Sequence, residues 1–132
     1  MVADVSTTGM RKQYYSRASP QGLLAWDVDR LVFLTRLLPV RAVPLTRIRE
    51  LDESLFGDDE PPTWRSFVGH VQLLEAAELT CPIILAADGA VMDGIHRVAR
   101  ALRDGQPAID AVQFQKDPPP DFVGRRPDEL PY

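Results

Sequence analysis

The stretch CPIILAADGAVMDGIHRVARALRDG, residues 81–105, constrains the fold more than any other part of the chain. Two short apolar runs flank Asp88 and Gly89, a pair of residues that favours a tight hairpin turn. A helical repeat of apolar residues follows immediately, and Gly105 stands where helix ends favour glycine. The stretch therefore predicts a β-hairpin that leads directly into a helix. The predicted strands are residues 82–86 and 90–92, and the predicted apolar face of the helix is Ile95, Val98, Ala99 and Leu102.

Two further helices are predicted upstream of this hairpin. Apolar residues recur at helical spacing between Trp26 and Leu38, and Pro39 ends that pattern. Thr63 is a suitable N-cap for a second helical pattern over residues 64–79. The apolar stripe of the first helix either covers the protein's own core or forms the seam of a homodimer. In the second helix, Trp64 and Phe67 are interpreted as core, with the wall of a pocket as the alternative, and His70 as a packed or surface residue.

Strand patterns complete the predicted fold. Alternation from Val40 predicts a short strand in which Pro44 requires either a sheet edge or a strand end, and residues 108–114 predict another strand. Helices and strands mixed within 132 residues indicate one small α+β (mixed α/β) domain. The acidic run Asp58, Asp59 and Glu60 is interpreted as a solvated linker. The predicted organisation is a flexible arm (1–19), a single domain (20–114) and a proline-rich tail (115–132).

Composition disfavours several classes of protein. The chain has 19 Asp and Glu against 15 Lys and Arg, a net charge of −4 that suits duplex DNA poorly. Its one cysteine, Cys81, has no partner for an internal disulfide and no zinc-ligand spacing around it, so no metal site is predicted. Arg36 and Pro39 interrupt the most apolar stretch, which is too short to span a membrane. A cytoplasmic protein is expected.

The junction of the second hairpin strand with its helix has the chemistry of an anion site. Gly94 permits a sharp turn, and the backbone N–H groups at a helix start lack intrahelical acceptors. His96 and Arg97 bring cationic groups to the positive end of the helix dipole, a conflict that a bound phosphate would resolve. The alternative is that these residues are solvated, with Gly94 a turn and Asp93 a helix cap. The predicted phosphate-binding residues are Asp93, Gly94, His96, Arg97 and Arg100.

The stretch PIILAADGAVMDGIHRVARAL resembles the core of the ParB/sulfiredoxin superfamily, and a fainter resemblance runs from Val43 to Phe114. It implies a ParB/sulfiredoxin-like small mixed sheet with packed helices, and nucleotide phosphates at Gly94, His96 and Arg97. Sulfiredoxin has a cysteine where Ile95 stands, so sulfinic acid reduction is not expected. Partition ParB proteins carry Glu-Arg-Arg in this loop and continue into a helix-turn-helix domain, so partition is not expected either.

The loop Asp93-Gly94-Ile95-His96-Arg97 is most similar to that of the free serine kinase branch. This resemblance implies an ATP- or ADP-dependent small-molecule kinase, with Glu53 in IRELDE as general base and Asp52 as its neighbour. A carboxylate suits proton removal during phosphoryl transfer. The implied ligand is a nucleotide (ATP, ADP or CTP) or another phosphorylated small molecule, with Mg²⁺ bridging the phosphates.

Two other classes of function stay open at this point. A non-catalytic regulatory or assembly module would use the first amphipathic helix and the proline-rich tail to form a homodimer or a partner complex. A ParB-like nuclease or DNA-binding protein requires a basic surface, which the acidic net charge disfavours.

Overall fold

The computed structural model describes residues 12–57 and 60–132, and over these residues the chain is the predicted mixture of helices and strands. Short 3₁₀ turns at Leu45–Arg47, Arg49–Asp52 and Pro127–Glu129 add to the regular elements. The strands are β1 (Tyr14–Arg17), β2 (Leu24–Asp27), β3 (Arg41–Pro44), β4 (Ile83–Leu85), β5 (Val91–Asp93), β6 (Ala108–Gln113) and β7 (Phe122–Val123). The helices are α1 (Val28–Thr35), α2 (Trp64–Ala76) and α3 (Ile95–Arg103).

The larger sheet has the strand order β3-β6-β4-β5. Strands β4 and β5 form the predicted antiparallel hairpin, closed by a hydrogen bond from Gly89 N to Ala86 O of 2.9 Å. Helix α3 then carries the chain to β6, which lies parallel to β4 and antiparallel to β3. The prediction of an edge or a strand end for Pro44 is confirmed, because β3 is the first strand in this order and Pro44 is its last residue.

Both faces of the larger sheet are covered. Successive residues of β4 alternate between two apolar clusters, since side chains along a strand point to opposite faces. Ile83 and Leu85 pack with Val98 of α3, whereas Ile84 packs with Trp26 and Leu31 on the other face. Burial on both faces explains why β4 is a continuous apolar run rather than an alternating pattern.

The buried face of α3 differs from the predicted one. Val98 is buried as predicted, but Ala101 completes the face, and Ile95 and Leu102 are exposed. The start of α3 lies very close to β4 at Gly94, where an added Cβ would lie 2.6 Å from Ile83 Cγ2. The absence of a side chain at Gly94 lets the start of α3 lie against β4.

The second sheet has the order β1-β2-β7, and its outer strands β1 and β7 come from the segments predicted as arm and tail. Residues 14–17 and 122–123 are strands, so the predictions of an irregular N-terminal arm and tail are wrong at these positions. Pairing with β2 supplies the backbone partners that neither short segment could find locally. Residues 1–11 of the predicted arm lie outside the described residues.

Helix α1 is shorter than the predicted pattern between Trp26 and Leu38. Trp26 belongs to β2, and Asp27 caps the helix by accepting a hydrogen bond of 2.9 Å from Asp29 N. The helix ends at Thr35, before Pro39 is reached. The Thr63 cap of α2 is confirmed, because its hydroxyl oxygen accepts a hydrogen bond of 3.1 Å from Ser66 N.

Candidate functional site

The start of α3 is formed by a glycine in a conformation that other residues rarely adopt. Gly94 has φ 105° and ψ 23°, and it is the N-cap residue of the helix. Because glycine has no side chain to cap the helix, the backbone N–H groups of its first turn have no side-chain cap. This is the arrangement from which the sequence predicted an anion site, since such groups and the helix dipole both favour negative charge.

Arg97 is held by contacts within the protein. Its Nη1 donates hydrogen bonds to the carbonyl oxygens of Cys81 (3.0 Å) and Pro82 (2.7 Å), and its Nη2 pairs with Asp93 Oδ2 at 2.8 Å. The side chain is 18% exposed. Arg97 therefore clamps the start of α3 to the segment that enters β4, and Asp93 orients this clamp rather than capping the helix.

Arg100 is also held by the protein. Its Nη1 donates to the carbonyl oxygens of Glu75 (2.8 Å) and Ala77 (3.1 Å). Its Nε pairs with Asp104 at 3.3 Å. These carbonyls lie at the end of α2, where helix geometry leaves acceptors free, so Arg100 joins α2 to α3.

His96 belongs to a hydrogen-bonded chain that the sequence did not predict. Its Nε2 lies 2.9 Å from Nδ1 of His70, and the two rings stack with centroids 5.1 Å apart. Nε2 of His70 lies 3.0 Å from both carboxylate oxygens of Glu60. Glu60, His70 and His96 therefore form a chain that ends beside the start of α3. Because its partners occupy opposite nitrogens of His70, the three groups do not converge on one point.

With His70 neutral, one set of proton positions satisfies both of its contacts. Nε2 of His70 faces the carboxylate of Glu60 and donates its hydrogen to it, which leaves Nδ1 of a neutral His70 as an acceptor. Nε2 of His96 then donates to that Nδ1. Nδ1 of His96 keeps its lone pair, and among residues 12–57 and 60–132 it has no hydrogen-bond partner. When Nδ1 of His96 accepts a proton, the proton on its Nε2 can move toward His70, and the proton on Nε2 of His70 can move toward Glu60.

The environment keeps His96 neutral near pH 7. Burial lowers the pKa of His96 below its ordinary value of 6.5, and the adjacent His70 lowers it further, while Glu60 acts in the opposite direction. A neutral imidazole with a free nitrogen can take a proton from a reacting group. The chemistry available at this site is therefore proton transfer.

The two carboxylates assigned by the resemblance lie apart from this chain of residues. Asp52 ends a 3₁₀ turn and Glu53 follows it, and both are exposed. In the described part of the chain, no hydrogen bond or ion pair joins either side chain to the Asp93–Arg97 loop. Glu50 is the carboxylate of this turn that reaches the hairpin, where its Oε2 accepts a hydrogen bond of 2.7 Å from Val91 N. Its Oε1 is buried and unpartnered among the described residues.

An open cleft of about 580 Å³ adjoins the histidines. The ring of Phe56 meets the ring of His70 edge to face at 6.1 Å, so the cleft lies next to the Glu60–His70–His96 chain. Trp64 is 83% exposed and Phe67 is also exposed, so the prediction that both belong to the core is wrong. Helix α2 packs against α3 and leaves these rings outside the core. The lining residues are Phe56, Pro62, Thr63, Trp64 and Phe67.

Sequence reasoning missed the chain because its members come from separate segments. Ten residues separate Glu60 from His70, and 26 separate His70 from His96. Neither spacing has the short-range regularity of a catalytic or metal-binding motif. The contact arises only when α2 packs against α3.

Comparison with known proteins leaves the family resemblance a prediction. No family model, curated protein or solved structure matches the chain. Across the described residues, no group of three or more His, Cys, Asp and Glu side chains is arranged to hold a metal ion. Nor does any described helix have the length and apolar character needed to cross a membrane.

Replacing Gly94 with alanine is expected to destabilise the protein by about 2–5 kcal/mol, through backbone strain and overpacking. The added Cβ would clash with Ile83 at 2.6 Å, and the residue would hold a φ of 105°. Urea unfolding measures the effect. Gly105→Ala is the matched control, because Gly105 has φ 73° but open space around it. Equal losses in the two variants would show that the close contact with Ile83 contributes nothing.

Proposed function

We propose that this protein binds a phosphorylated small molecule, in the first instance a nucleotide, at the start of α3. We further propose that it transfers a phosphoryl group to a small hydroxyl compound. The observation that carries the proposal is the Glu60–His70–His96 chain, which places a neutral imidazole beside a helix start that has no side-chain cap. Such a site combines an anion receptor with a proton acceptor.

The anion would be held mainly by backbone groups. The first-turn N–H groups of α3 and the positive end of its dipole suit a phosphate, and Gly94 brings no side chain that would compete for those groups. Arg97 adds positive charge nearby, although Asp93 and two carbonyl oxygens already engage it. With ATP, ADP or CTP as ligand, Mg²⁺ would be held largely by the phosphates, as is common for this ion.

In the proposed reaction, His96 takes the place that the resemblance gave to Glu53. The acceptor hydroxyl gives its proton to Nδ1 of His96 as its oxygen forms a bond to the transferred phosphorus. The bond from phosphorus to the leaving nucleotide oxygen breaks, and that oxygen keeps the electron pair. The positive charge on His96 is shared with His70, beside the Glu60 carboxylate. Positioning and charge stabilisation supply most of the catalysis in such transfers.

A second candidate function is an assembly module, and one observation favours it. Helix α1 and the segment after it expose several large apolar side chains to solvent. Exposed apolar patches often mark protein interfaces. In that case the chain would form a homodimer or bind a partner protein through α1. The exposed residues are Val32, Phe33, Leu34, Leu37 and Val40.

Thermal-shift titration with ATP, ADP, CTP, GTP and inorganic phosphate, with and without Mg²⁺, tests the binding proposal. We expect the melting temperature to rise with nucleotide concentration. Ile95→Glu should weaken binding on the order of tenfold or more, because it places negative charge in the first turn of α3. Ile95 is exposed, so its substitution should disturb the fold less than substitution of Arg97, which would also remove a structural clamp.

Leu102→Glu is the matched control for this titration. It makes the same substitution at an exposed position near the other end of α3 and should keep the nucleotide response. If nucleotides shift the melting temperature of both variants equally, the start of α3 is not the phosphate site. The absence of any shift with every nucleotide and with phosphate would favour the assembly function.

A further inference from the structure

The cleft beside His70 is walled by aromatic rings that the core does not use. Trp64 is 83% exposed, and its ring meets that of Phe67 edge to face at 6.1 Å. Phe56 closes the side next to the histidines. Large aromatic side chains left in solvent forgo the burial that normally stabilises them. Their grouping around one opening therefore points to a ligand.

The cleft adjoins the Glu60–His70–His96 chain through the ring of Phe56. The ring of Phe56 lies 6.1 Å from that of His70, which lies 5.1 Å from that of His96. These two distances are short enough for one small molecule to contact both Phe56 and His96. The cavity of about 580 Å³ also lies within the range of small-molecule sites, roughly 300–1,000 Å³.

From this arrangement we infer that the cleft binds a planar aromatic ring of the ligand, an inference that rests on the proposed function for the position of its phosphate. The ligand class is then an anionic molecule with a ring at one end and a phosphate at the other, as in a nucleotide. Rings stack on aromatic side chains whatever their substituents, because every ring presents a π face.

The lining also indicates how selective the cleft is. Its polar side chain is that of Thr63, whose hydroxyl oxygen accepts a hydrogen bond from Ser66 N to cap α2 and whose O–H can donate to an acceptor that both purines carry. The other lining side chains, those of Phe56, Pro62, Trp64 and Phe67, carry no group that would read the edge of a base, apart from the Trp64 indole N–H. Adenosine and guanosine should therefore bind with similar affinity, and the ring contributes affinity rather than base discrimination.

Tryptophan fluorescence provides a direct test, because the chain has two tryptophans in contrasting environments. Trp26 is 2% exposed, whereas Trp64 lines the cleft, so a stacked ring should quench the emission of Trp64. The probes are adenosine (a ring without phosphate), ribose 5-phosphate (a phosphate without the ring) and AMP (both). We expect adenosine and AMP to quench emission, and AMP to bind on the order of tenfold more tightly than ribose 5-phosphate.

Variants of the cleft residues and of a residue outside the cleft show whether the quenching comes from a ring bound in the cleft. Trp64→Phe should remove the quenching, since Trp26 is buried, while AMP binding measured by calorimetry persists. Phe67→Leu should lower AMP affinity and leave that for ribose 5-phosphate unchanged. Phe33→Leu is its matched control, because Phe33 is 58% exposed on α1, outside the cleft, and should behave as the wild type.

The possible results separate this inference from the proposed function. Adenosine binding without ribose 5-phosphate binding would support the cleft and reject the phosphate site. Equal affinities for AMP and ribose 5-phosphate, without quenching, would show that the cleft does not bind the ring, while the phosphate site would stand. Binding of none of the probes would overturn both. Emission of Trp64 that changes with protein concentration alone would overturn the inference, because a second copy of the chain would then cover the cleft.

Discussion

Removal of residues 117–132 is expected to abolish cooperative folding or to cost most of the free energy of unfolding. Pro118 O accepts a hydrogen bond of 2.8 Å from Nε1 of Trp26, whose side chain is almost fully buried. Asp121 accepts a hydrogen bond of 2.8 Å from Asp27 N, and β7 pairs with β2. Losing these contacts together should cost several kcal/mol, a large part of the roughly 5–15 kcal/mol typical of a domain.

The contacts of Asp117 increase this loss. Its Oδ1 accepts a hydrogen bond of 2.8 Å from Ala87 N at the β4–β5 turn, and its Oδ2 pairs with Arg17 of β1 at 3.3 Å. The tail thus connects both sheets. Circular dichroism during urea unfolding measures the effect of truncation. Asp128→Ala is the control within the tail, because its ion pair with Arg126 is largely exposed and should change stability little.

An unchanged urea midpoint in the truncated protein would contradict this account of the tail. Asp121→Ala provides an intermediate test that removes one side chain. It leaves Asp27 N without its side-chain acceptor and removes the ion pair of Arg30 at 3.3 Å, so a loss of about 1–3 kcal/mol is expected.

His96→Asn is expected to lower the rate of phosphoryl transfer by about 10²–10⁴, the usual contribution of a general base. Asparagine keeps a polar group of similar reach but cannot take the proton from the acceptor hydroxyl. The measurement is kcat for an acceptor found by screening small hydroxyl compounds with ATP or ADP and Mg²⁺. Nucleotide affinity should change little, because the backbone of α3 holds the phosphates in the proposed site.

Graded variants distinguish a proton-transfer role from a structural one. Glu60→Gln keeps a hydrogen-bond acceptor beside His70 but removes the negative charge. Since Glu60 raises the pKa of His96, its loss should lower that pKa and move the acidic limb of the kcat profile to lower pH. Glu53→Gln is the comparison that follows from the resemblance, and it should retain turnover. Full turnover in His96→Asn, with loss in Glu53→Gln, would restore Glu53 as the base.

Local signals account for the elements that could be predicted from the sequence. Asp88 and Gly89 close the hairpin, Thr63 caps α2, and Gly105, with φ 73°, follows the end of α3. Each of these features depends on residues within one or two turns of the chain. The same holds for Gly94, whose role at the start of α3 was anticipated, whereas its contact with Ile83 was not.

The features that were missed depend on contacts between distant segments. β1 and β7 become strands because β2 lies between them. Trp26 follows the apolar periodicity of a helix, yet its indole is buried under the tail and its backbone pairs with Tyr15. His70 and Glu60 gained their roles from the packing of α2 on α3, which no pattern within α2 encodes. Periodicity shows which residues are apolar, but not which surface will cover them.

The measurement that tests the central claim most directly is an NMR titration of the two histidine side chains, in the free protein and with Mg²⁺ and ADP. The account predicts that His96 titrates below its ordinary value of 6.5 in the free protein, because it is buried beside His70. Bound ADP should perturb the His96 signals and raise its pKa, since a nearby anion favours the charged imidazole. A His96 that titrates at 6.5 and does not respond to ADP would contradict the proposal that this chain of residues is the functional centre.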